Sequence, residues 1–197
     1  MTALRPGAVV ALIGAGSDRD RALLAPLADD GVRFALATMD RSQAQEFAVN
    51  SIANELWALG AEQFVRLMDA ADPTAVAAFA DEVWDQYGRC DVLICAHDLA
   101  SDVDFDELSF DEWEPLIRAN LSGPFLALQS FGRLMERAHG GRIVLVENTG
   151  TAAACVAANL GVRGLAEAAN TAWGDRGVRT HVVAAGDVPR AIADALS

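Results

Sequence analysis

Short runs of consecutive apolar residues recur along this chain, and longer stretches of mixed polarity separate them. Uninterrupted apolar runs of about four to eight residues are typical of strands that are buried on both faces of a parallel sheet. The pattern predicts six such strands, at residues 8–13, 32–37, 64–67, 91–95, 142–146 and 179–184.

Between the predicted strands, apolar positions recur three and four residues apart, as on the buried face of an amphipathic helix. Asp72 and Pro73 form a cap-and-first-turn signal, and Gly31 stands where the first helix would end. The dipeptide Gly123-Pro124 predicts a break or kink in the longest helix. The predicted helices are residues 18–29, 42–59, 73–87, 110–139, 151–173 and a short tail at 189–196.

The alternation of strands and helices predicts an α/β protein with a doubly wound, Rossmann-like parallel sheet. Right-handed crossovers would place helices on both faces of about six strands. In such a sheet the ligand crevice lies beyond the carboxyl ends of the strands, where the strand order reverses. The sequence contains no repeat, linker or low-complexity segment, so residues 1–197 are predicted to form a single domain.

Composition and charge exclude some classes of binding partner for this protein. Of the 197 residues 52% are apolar, but no apolar run approaches the ~20 residues of a membrane-spanning helix. The formal charge is −13, from 28 acidic residues against 15 basic ones, all of them arginine because the chain has no lysine. An acidic surface repels phosphate groups, so neither nucleic acid nor a membrane is an expected partner. The first residues lack a signal-peptide pattern, and we expect a cytoplasmic protein.

The three cysteines are expected to be reduced thiols, because their number is odd and no secretion signal is seen. Cys90 and Cys95 flank one apolar run at an odd spacing, so in a strand they would face opposite sides of the sheet. Neither His97 nor His139 stands at a recognisable zinc-ligand spacing. No metal site is therefore expected.

Several motifs follow one another in a fixed order. They comprise a glycine after the first strand, an acidic segment, the run into the fourth strand, a helix that contains Asn-Leu-Ser-Gly, and the last two strands. Their positions are Gly14, 69–73, 87–94, 113–123, 141–146 and 177–186. Together they resemble the short-chain dehydrogenase/reductase family over nearly the whole chain. The resemblance implies oxidoreductase chemistry with NAD(P). It also implies a seventh strand and a substrate lid after Gly186, and this chain is expected to be a truncated member without them.

At the positions where the resemblance implies catalytic residues, the side chains differ from those of the family. In the family a Tyr passes a proton, and a Lys four residues later lowers the pKa of that Tyr and holds the nicotinamide ribose. These two positions fall on Cys155 and Asn159, the Ser position falls on Asn148, and the Asn position is kept as Asn120. Because the only tyrosine, Tyr87, precedes the fourth strand, family catalysis is not expected. We expect Asn120 to satisfy backbone groups that are freed at a helix break.

The resemblance also implies a cofactor site at the turn after the first strand. The candidate cofactor-binding residues are Gly14, Gly16, Asp18, Arg19 and Asp69, the last at the position that meets the adenine ring. Asp18 and Asp20 replace the second and third glycines of the family turn. A carboxylate there can cap the helix and repel phosphate, although Arg19 could partly compensate. Asp98 adds an acid above the cleft. No cofactor is therefore expected, and NAD(P) binding is left open.

A further departure concerns the ribose contact at the end of the second strand. Thr38 stands where NAD-using relatives carry an acid, and Asp40 lies two residues on.

Three functions fit these observations. The first is a non-catalytic protein that forms a homo-oligomer, or a hetero-oligomer with an active relative. Leu121, Phe125 and Leu128 would then form one apolar stripe, and the small residues of 152–164 another, which would permit close helix approach. The second is an NAD(P)-dependent oxidoreductase with an altered active site. The third is non-redox chemistry by Cys155 and His97 in a repurposed cleft that also carries Asp98, Asn120 and Glu147.

Overall fold

The fold was analysed in a computed structural model, which describes residues 4–28 and 31–184. Within these residues six parallel strands form one sheet in the order β3-β2-β1-β4-β5-β6. The strands are β1 (Val9–Gly14), β2 (Arg33–Thr38), β3 (Glu62–Arg66), β4 (Val92–Ala96), β5 (Gly141–Val146) and β6 (Val178–Val183). All six predicted strands are present, with ends displaced by one or two residues at most.

Helices cover both faces of the sheet, as the doubly wound architecture requires. They are α1 (Asp18–Leu24), α2 (Gln43–Ala58), α3 (Pro73–Tyr87), α4 (Phe110–Ile117), α5 (Gly123–Arg137) and α6 (Ala153–Trp173). Helices α1 and α2 pack on one face, whereas α3, α5 and α6 pack on the other. Successive residues of β1 therefore enter different cores: Val9 and Ala11 face α3 and α5, and Val10 and Leu12 face α1 and α2.

The first helix is shorter than predicted. Helix α1 ends at Leu24, and residues 25–27 form a single 3-10 turn that contains Pro26. Proline lacks an N–H and crowds the preceding turn, so it ends the α-helical hydrogen bonding. Gly31, predicted to end this helix, instead has a left-handed φ of 87° before β2. The predicted tail helix at 189–196 lies outside the described residues.

The signals at the other helix ends act as predicted. The Asp72 carboxylate accepts hydrogen bonds from the N–H groups of Thr74 and Ala75, and α3 ends at Gly88 in a left-handed conformation. The long helix predicted at 110–139 is interrupted by a π-helical segment at residues 118–122, directly before Gly123. This interruption confirms the predicted break, and it carries Asn120.

The cysteine prediction was wrong in one respect. Cys90 and Cys95 both lie in the core on the α3 side of the sheet rather than on opposite faces. Cys90 precedes β4, which begins at Val92, so the alternation of a strand does not apply to it. Among residues 4–28 and 31–184, no three side chains of a type that binds metals come together, and no helix is long and apolar enough to cross a membrane.

Candidate functional site

The sheet brings the predicted site residues to one edge. The strand order reverses between β1 and its neighbour β4, and the turn after β1, the segment after β4 and the segment after β5 meet at the carboxyl ends of these strands. A cavity of about 870 Å³ opens beside them and is bounded by the segments after β2, β3 and β4 and by α4. The crevice thus lies where the sheet topology predicts it.

The turn after β1 is closed by the protein's own carboxylate. Asp20 Oδ2 accepts hydrogen bonds from the backbone N–H groups of Gly16 (2.8 Å) and Ser17 (3.1 Å). The Ser17 hydroxyl in return accepts from Asp20 N, which completes a capping box at the start of α1. A Cβ on Gly14 would lie only 2.6 Å from Asp20 Oδ2, so Gly14 provides the space that this carboxylate fills.

The two acids of this turn have different environments. Asp20 is fully buried, and burial raises its pKa, although Arg19 and the N–H groups of Gly16 and Ser17 oppose the rise. Asp18 points to solvent and pairs with Arg21. The predicted capping by an acid is therefore performed by Asp20, whereas Asp18 contributes only its charge at the helix start.

Arg19 extends across the carboxyl ends of β4 and β5. Its guanidinium donates hydrogen bonds to the carbonyl oxygens of Ala96 (3.1 Å) and Glu147 (3.2 Å) and forms an ion pair with Asp98 (3.2 Å). Only 13% of the Arg19 side chain is exposed. Arg19 is thus held by the strand ends, and the prediction that it could attract phosphate at the helix start has no support in this geometry.

Three of the four positions that the family resemblance predicts to be catalytic form one hydrogen-bonded network. The Asn159 side chain accepts from Asn148 N (2.9 Å) and Asn148 Nδ2 (2.8 Å) and donates to Asn148 O (3.1 Å). Asn148 Nδ2 also donates to Cys155 O, and Asn148 Oδ1 accepts from Gly150 N. The network joins the segment after β5 to α6, and each amide bonds backbone or its partner amide.

The fourth position, Asn120, is separate from this network. Its side chain accepts from Leu99 N (3.0 Å) and donates to Leu99 O (2.8 Å), and it is almost fully buried. Asn120 therefore satisfies backbone groups, as predicted. These groups belong to Leu99 in the segment after β4, not to the interrupted helix itself.

The only phenol of the chain is remote from this edge. Tyr87 ends α3, next to the amino end of β4, and packs against Phe64 with ring centroids 5.8 Å apart. Burial raises the pKa of Tyr87 to about 12, and its hydroxyl has no hydrogen-bond partner among the described residues. Tyr87 cannot act as a proton donor at the carboxyl edge.

The remaining predicted cofactor contact, Asp69, is engaged in an ion pair. Arg118 donates to Asp69 Oδ2 (2.7 Å), and Ala71 N donates to Asp69 Oδ1 (2.8 Å). Burial alone would raise the pKa of Asp69, but these hydrogen bonds outweigh it and hold the pKa below its ordinary value. The Asp40 side chain accepts a hydrogen bond from Ser42 N (2.7 Å) and so stabilises the turn before α2.

His97 and Cys155 do not form the nucleophile–base pair that one hypothesis required. Cys155 Sγ approaches Leu99 O (3.7 Å), and burial raises the pKa of this thiol. Neither ring nitrogen of His97 has a hydrogen-bond partner in the part of the chain that the structure describes. Burial, followed by the charge of Arg19, lowers the pKa of His97 to about 3, so the imidazole is neutral at physiological pH.

The helix faces predicted for association are largely turned inward. Leu128 is buried in the core, and Leu121 packs against Gly161 of the same chain, where a Cβ would lie 2.7 Å from it. The apolar residues that do face solvent are Phe125 on α5 (45% exposed) and a row along α6. We call this row the α6 stripe; it consists of Val156, Leu160, Gly164 and Ala168.

Sequence reasoning missed two features of the site. The reach of Arg19 to the ends of β4 and β5 depends on its rotamer and on strand order, which no local pattern encodes. The unsatisfied His97 ring was equally hidden, since a histidine after a strand is usually hydrogen-bonded. Asn148 and Asn159, in contrast, could have been paired, because both face the gap between β5 and α6.

Comparisons with known proteins agree with this geometry. A sequence model of the short chain dehydrogenase family matches residues 8–196. D-threitol dehydrogenase of Mycolicibacterium smegmatis is 31% identical over 186 residues, which are 90% of this chain and 68% of that protein. The chain therefore belongs to the short-chain dehydrogenase/reductase family.

Solved structures show the same fold. A metagenomic short-chain oxidoreductase in complex with NADP superposes with a TM-score of 0.83 at 26% identity, over 98% of this chain and 92% of that one. Carveol dehydrogenase from Mycobacterium avium in complex with NAD gives a TM-score of 0.83 at 20% identity, over 93% of this chain and 72% of that one. The predicted family and architecture are confirmed.

Proposed function

We propose that this chain does not perform the hydride transfer of its family and that it acts through association, with a second copy of itself or with an active relative. The observation that carries the proposal is the position of Arg19. Its guanidinium occupies the ends of β4 and β5, at the edge where a dinucleotide cofactor of this fold would be held.

The residues of the cleft do not fit a dinucleotide. A pyrophosphate needs free N–H groups at the start of the helix, whereas Asp20 already accepts from Gly16 N and Ser17 N. A phosphate group at that turn would also be repelled by the Asp18 carboxylate. Binding would require the Arg19–Asp98 ion pair to break and the buried Asp20 carboxylate to move.

The absence of a proton relay supports the same proposal. Reduction of a carbonyl needs an acid of suitable pKa within hydrogen-bond reach of the substrate oxygen. The corresponding positions hold a buried thiol, Cys155, and an amide, Asn159, and the amide makes three hydrogen bonds to Asn148. An amide has no proton to give at neutral pH.

The α6 stripe supports association. Val156 is 49% and Leu160 62% exposed, and a Cβ at Gly164 would meet no atom within 4 Å. Together with the exposed Phe125 on α5, these residues present apolar and small side chains to solvent, which would allow a helix of a second subunit to approach closely.

An NAD(P)-dependent oxidoreductase with an altered site is the second candidate. It is favoured by the relatives, since one is named a dehydrogenase and a similar solved structure contains NADP. Cysteine–histidine chemistry is not proposed, because the two side chains do not interact.

Titration with NADH and NADPH, followed by nucleotide fluorescence and calorimetry, separates the two candidates. The unmodified protein is expected to show no saturation below ~1 mM. The variant Asp18→Gly/Arg19→Ile/Asp20→Gly should bind NADH or NADPH at least ~10-fold more tightly, because the N–H groups of the turn are then free to bind phosphate. A matched control, Asp81→Asn/Asp85→Asn, changes charge on α3 only and should gain nothing. Micromolar binding by the unmodified protein, or its oxidation of NADPH by a carbonyl compound at ~1 s⁻¹ or faster, would overturn the proposal.

Light scattering coupled to size exclusion tests the association. A dimer at micromolar concentration is expected, and Leu160→Glu should dissociate it, whereas Trp57→Glu, at a similarly exposed site on α2 (72% against 62%), should not. If the chain is monomeric, it should co-elute with a purified active relative from the same genome, again in a Leu160-dependent manner. A monomer that binds no such relative would contradict the association.

A further inference from the structure

The last strand of the sheet, β6, has an outer edge that no other strand covers in the part of the chain that the structure describes. In a parallel sheet, alternate residues of a strand direct their backbone groups to the same side. Gly177 and Val183 direct their carbonyl oxygens to β5, so the odd-numbered residues of this segment face β5. The backbone groups of the even-numbered residues, Val178, Thr180 and Val182, therefore point to the outer edge.

The side chain of Asn170, on α6, occupies the middle of this edge. Its Nδ2 donates a hydrogen bond to Thr180 O (2.8 Å), and its Oδ1 accepts one from Thr180 N (2.8 Å). These are the two groups that a neighbouring strand would bond at this residue. A side-chain amide thus stands in the place of a backbone amide, and the centre of the edge is satisfied without a seventh strand.

Little of the outer edge of β6 is accessible to another strand. Val178 is 1% and Thr180 5% exposed, and Val182 is partly buried. A strand that approached this edge would have to displace Asn170 from the central residue. It would then replace two hydrogen bonds by two others, which gives no net gain in bonding. The β6 edge is therefore closed, although its backbone is extended.

The sequence of β6 explains why its edge requires such protection. Four of its six residues are valine or threonine, and none is proline. Uncovered edges of this composition pair readily with the edges of other molecules. The opposite edge of the sheet, β3, instead has the exposed charged residues Glu62 and Arg66 at its two ends, and such charges oppose pairing. The two edges are thus protected in different ways.

We propose that Asn170 closes the β6 edge against strand addition, so that a second copy of this chain joins at a helical surface and not by pairing of sheet edges. Without the Asn170 amide, the occupant of the edge would be β6 of a second copy, because two identical edges can pair antiparallel about a two-fold axis. The inference goes beyond the proposed function and does not depend on it, since an active enzyme with this edge would require the same protection.

Hydrogen exchange followed by NMR tests the Asn170–Thr180 contact directly. In the unmodified protein the Thr180 amide is expected to exchange about as slowly as that of His181, which faces β5, and at least ~100-fold more slowly than in the unfolded chain. In Asn170→Ala the Thr180 amide should exchange at least ~10-fold faster relative to His181. Exchange of Thr180 at the rate of an exposed amide in the unmodified protein would overturn the inference.

Edge pairing is tested in a Leu160→Glu background, which removes the association expected through α6. Addition of Asn170→Ala should produce a concentration-dependent dimer in light scattering. A fluorescent peptide of residues 177–184 should bind this double variant at least ~10-fold more tightly than Leu160→Glu alone. The matched control is Asn159→Ala in the same background, which removes three hydrogen bonds at the same helix but leaves the edge covered. It should neither dimerise nor bind the peptide more tightly.

Thermal unfolding is measured to confirm that Asn170→Ala folds. If it does not, Asn170→Asp replaces it, because a carboxylate still accepts from Thr180 N but repels Thr180 O, and the peptide should again bind more tightly. Equal peptide binding by the Asn170 and Asn159 variants, or the absence of both dimer and peptide binding when Asn170 is changed, would overturn the inference. A dimer that persists in Leu160→Glu alone contradicts association through α6 instead, and the exchange and peptide results then decide this inference by themselves.

Discussion

Arg19 and Asp98 form an ion pair with 3.2 Å between guanidinium and carboxylate, and their side chains are only 13% and 16% exposed. The pair bridges the start of α1 and the segment after β4, while the same guanidinium satisfies the carbonyl oxygens of Ala96 and Glu147. A partly buried charge with three partners is held firmly, because each partner would otherwise lose its hydrogen bond. The relationship makes Arg19 a structural strap across the crevice.

Removal of this strap should destabilise the fold. Arg19→Met keeps the apolar stem and removes the guanidinium, which leaves Asp98 and two carbonyl groups without their partner. The free energy of unfolding is expected to fall by about 2–4 kcal/mol in urea titrations. Arg21→Met, which breaks the solvent-accessible pairs with Asp18 and Glu55, serves as the control and should cost at most ~1 kcal/mol. Equal effects of the two substitutions would contradict the assignment.

Asp20 should make stability depend on pH in a specific direction. Burial raises its pKa in the folded protein above the ordinary value of 3.8, so the folded state holds this proton more tightly than the unfolded chain does. The contribution of Asp20 to stability is therefore fully present below that ordinary pKa and is lost as the pH rises through the raised one. Asp20→Asn does not titrate.

The stability of Asp20→Asn relative to the unmodified protein should consequently increase as the pH rises above about 4 and through the raised pKa of Asp20. Urea unfolding of both proteins at several pH values gives the difference, in which the other titrating groups cancel. A difference that is flat or falls with pH for Asp20→Asn would show that burial does not raise the pKa of this carboxyl group.

Asn159 should behave as a structural residue rather than a reactive one. Asn159→Ala removes three hydrogen bonds to Asn148 and should lower the free energy of unfolding by about 2–3 kcal/mol. Asn50→Ala removes one bond on the exposed face of α2 and should change it by at most ~0.5 kcal/mol. Chemical denaturation measures both, and a negligible effect at Asn159 would mean that the network contributes little.

The cysteines should resist alkylation in the folded protein. All three are buried, and burial raises the pKa of the Cys90, Cys95 and Cys155 thiols, so little thiolate forms at neutral pH. Labelling by iodoacetamide, followed by mass spectrometry, is expected to be at least ~100-fold slower than in urea. Rapid labelling of Cys155 alone would contradict this prediction and support a reactive thiol in the cleft.

The fold was accessible from sequence because its signals are local. The uninterrupted apolar run of β1, the Asp72 cap of α3 and the break at Gly123 each act within a few residues. Their order then leaves few topologies for the sheet. The end of α1 was mispredicted because Pro26 interrupts the helix while apolar periodicity continues through it.

The site was only partly accessible. The prediction that Cys155 and Asn159 stand at the family's Tyr and Lys positions could be made from the sequence, since it requires only the family pattern. The strap formed by Arg19 is not, because it links residues that are 77 and 128 positions apart and depends on which strands are neighbours. The solvent-facing side of α6 was also misjudged, since alanine and glycine give little indication of which face is buried.

The fit between Gly14 and Asp20 has a consequence for the history of this chain. Returning Asp20 to glycine would empty a fully buried volume, and returning Arg19 to an apolar residue would strand Asp98, so each reversion made singly weakens the molecule. A descendant could therefore acquire the glycine-rich turn of its family only through several substitutions made together, because each single change would cost stability.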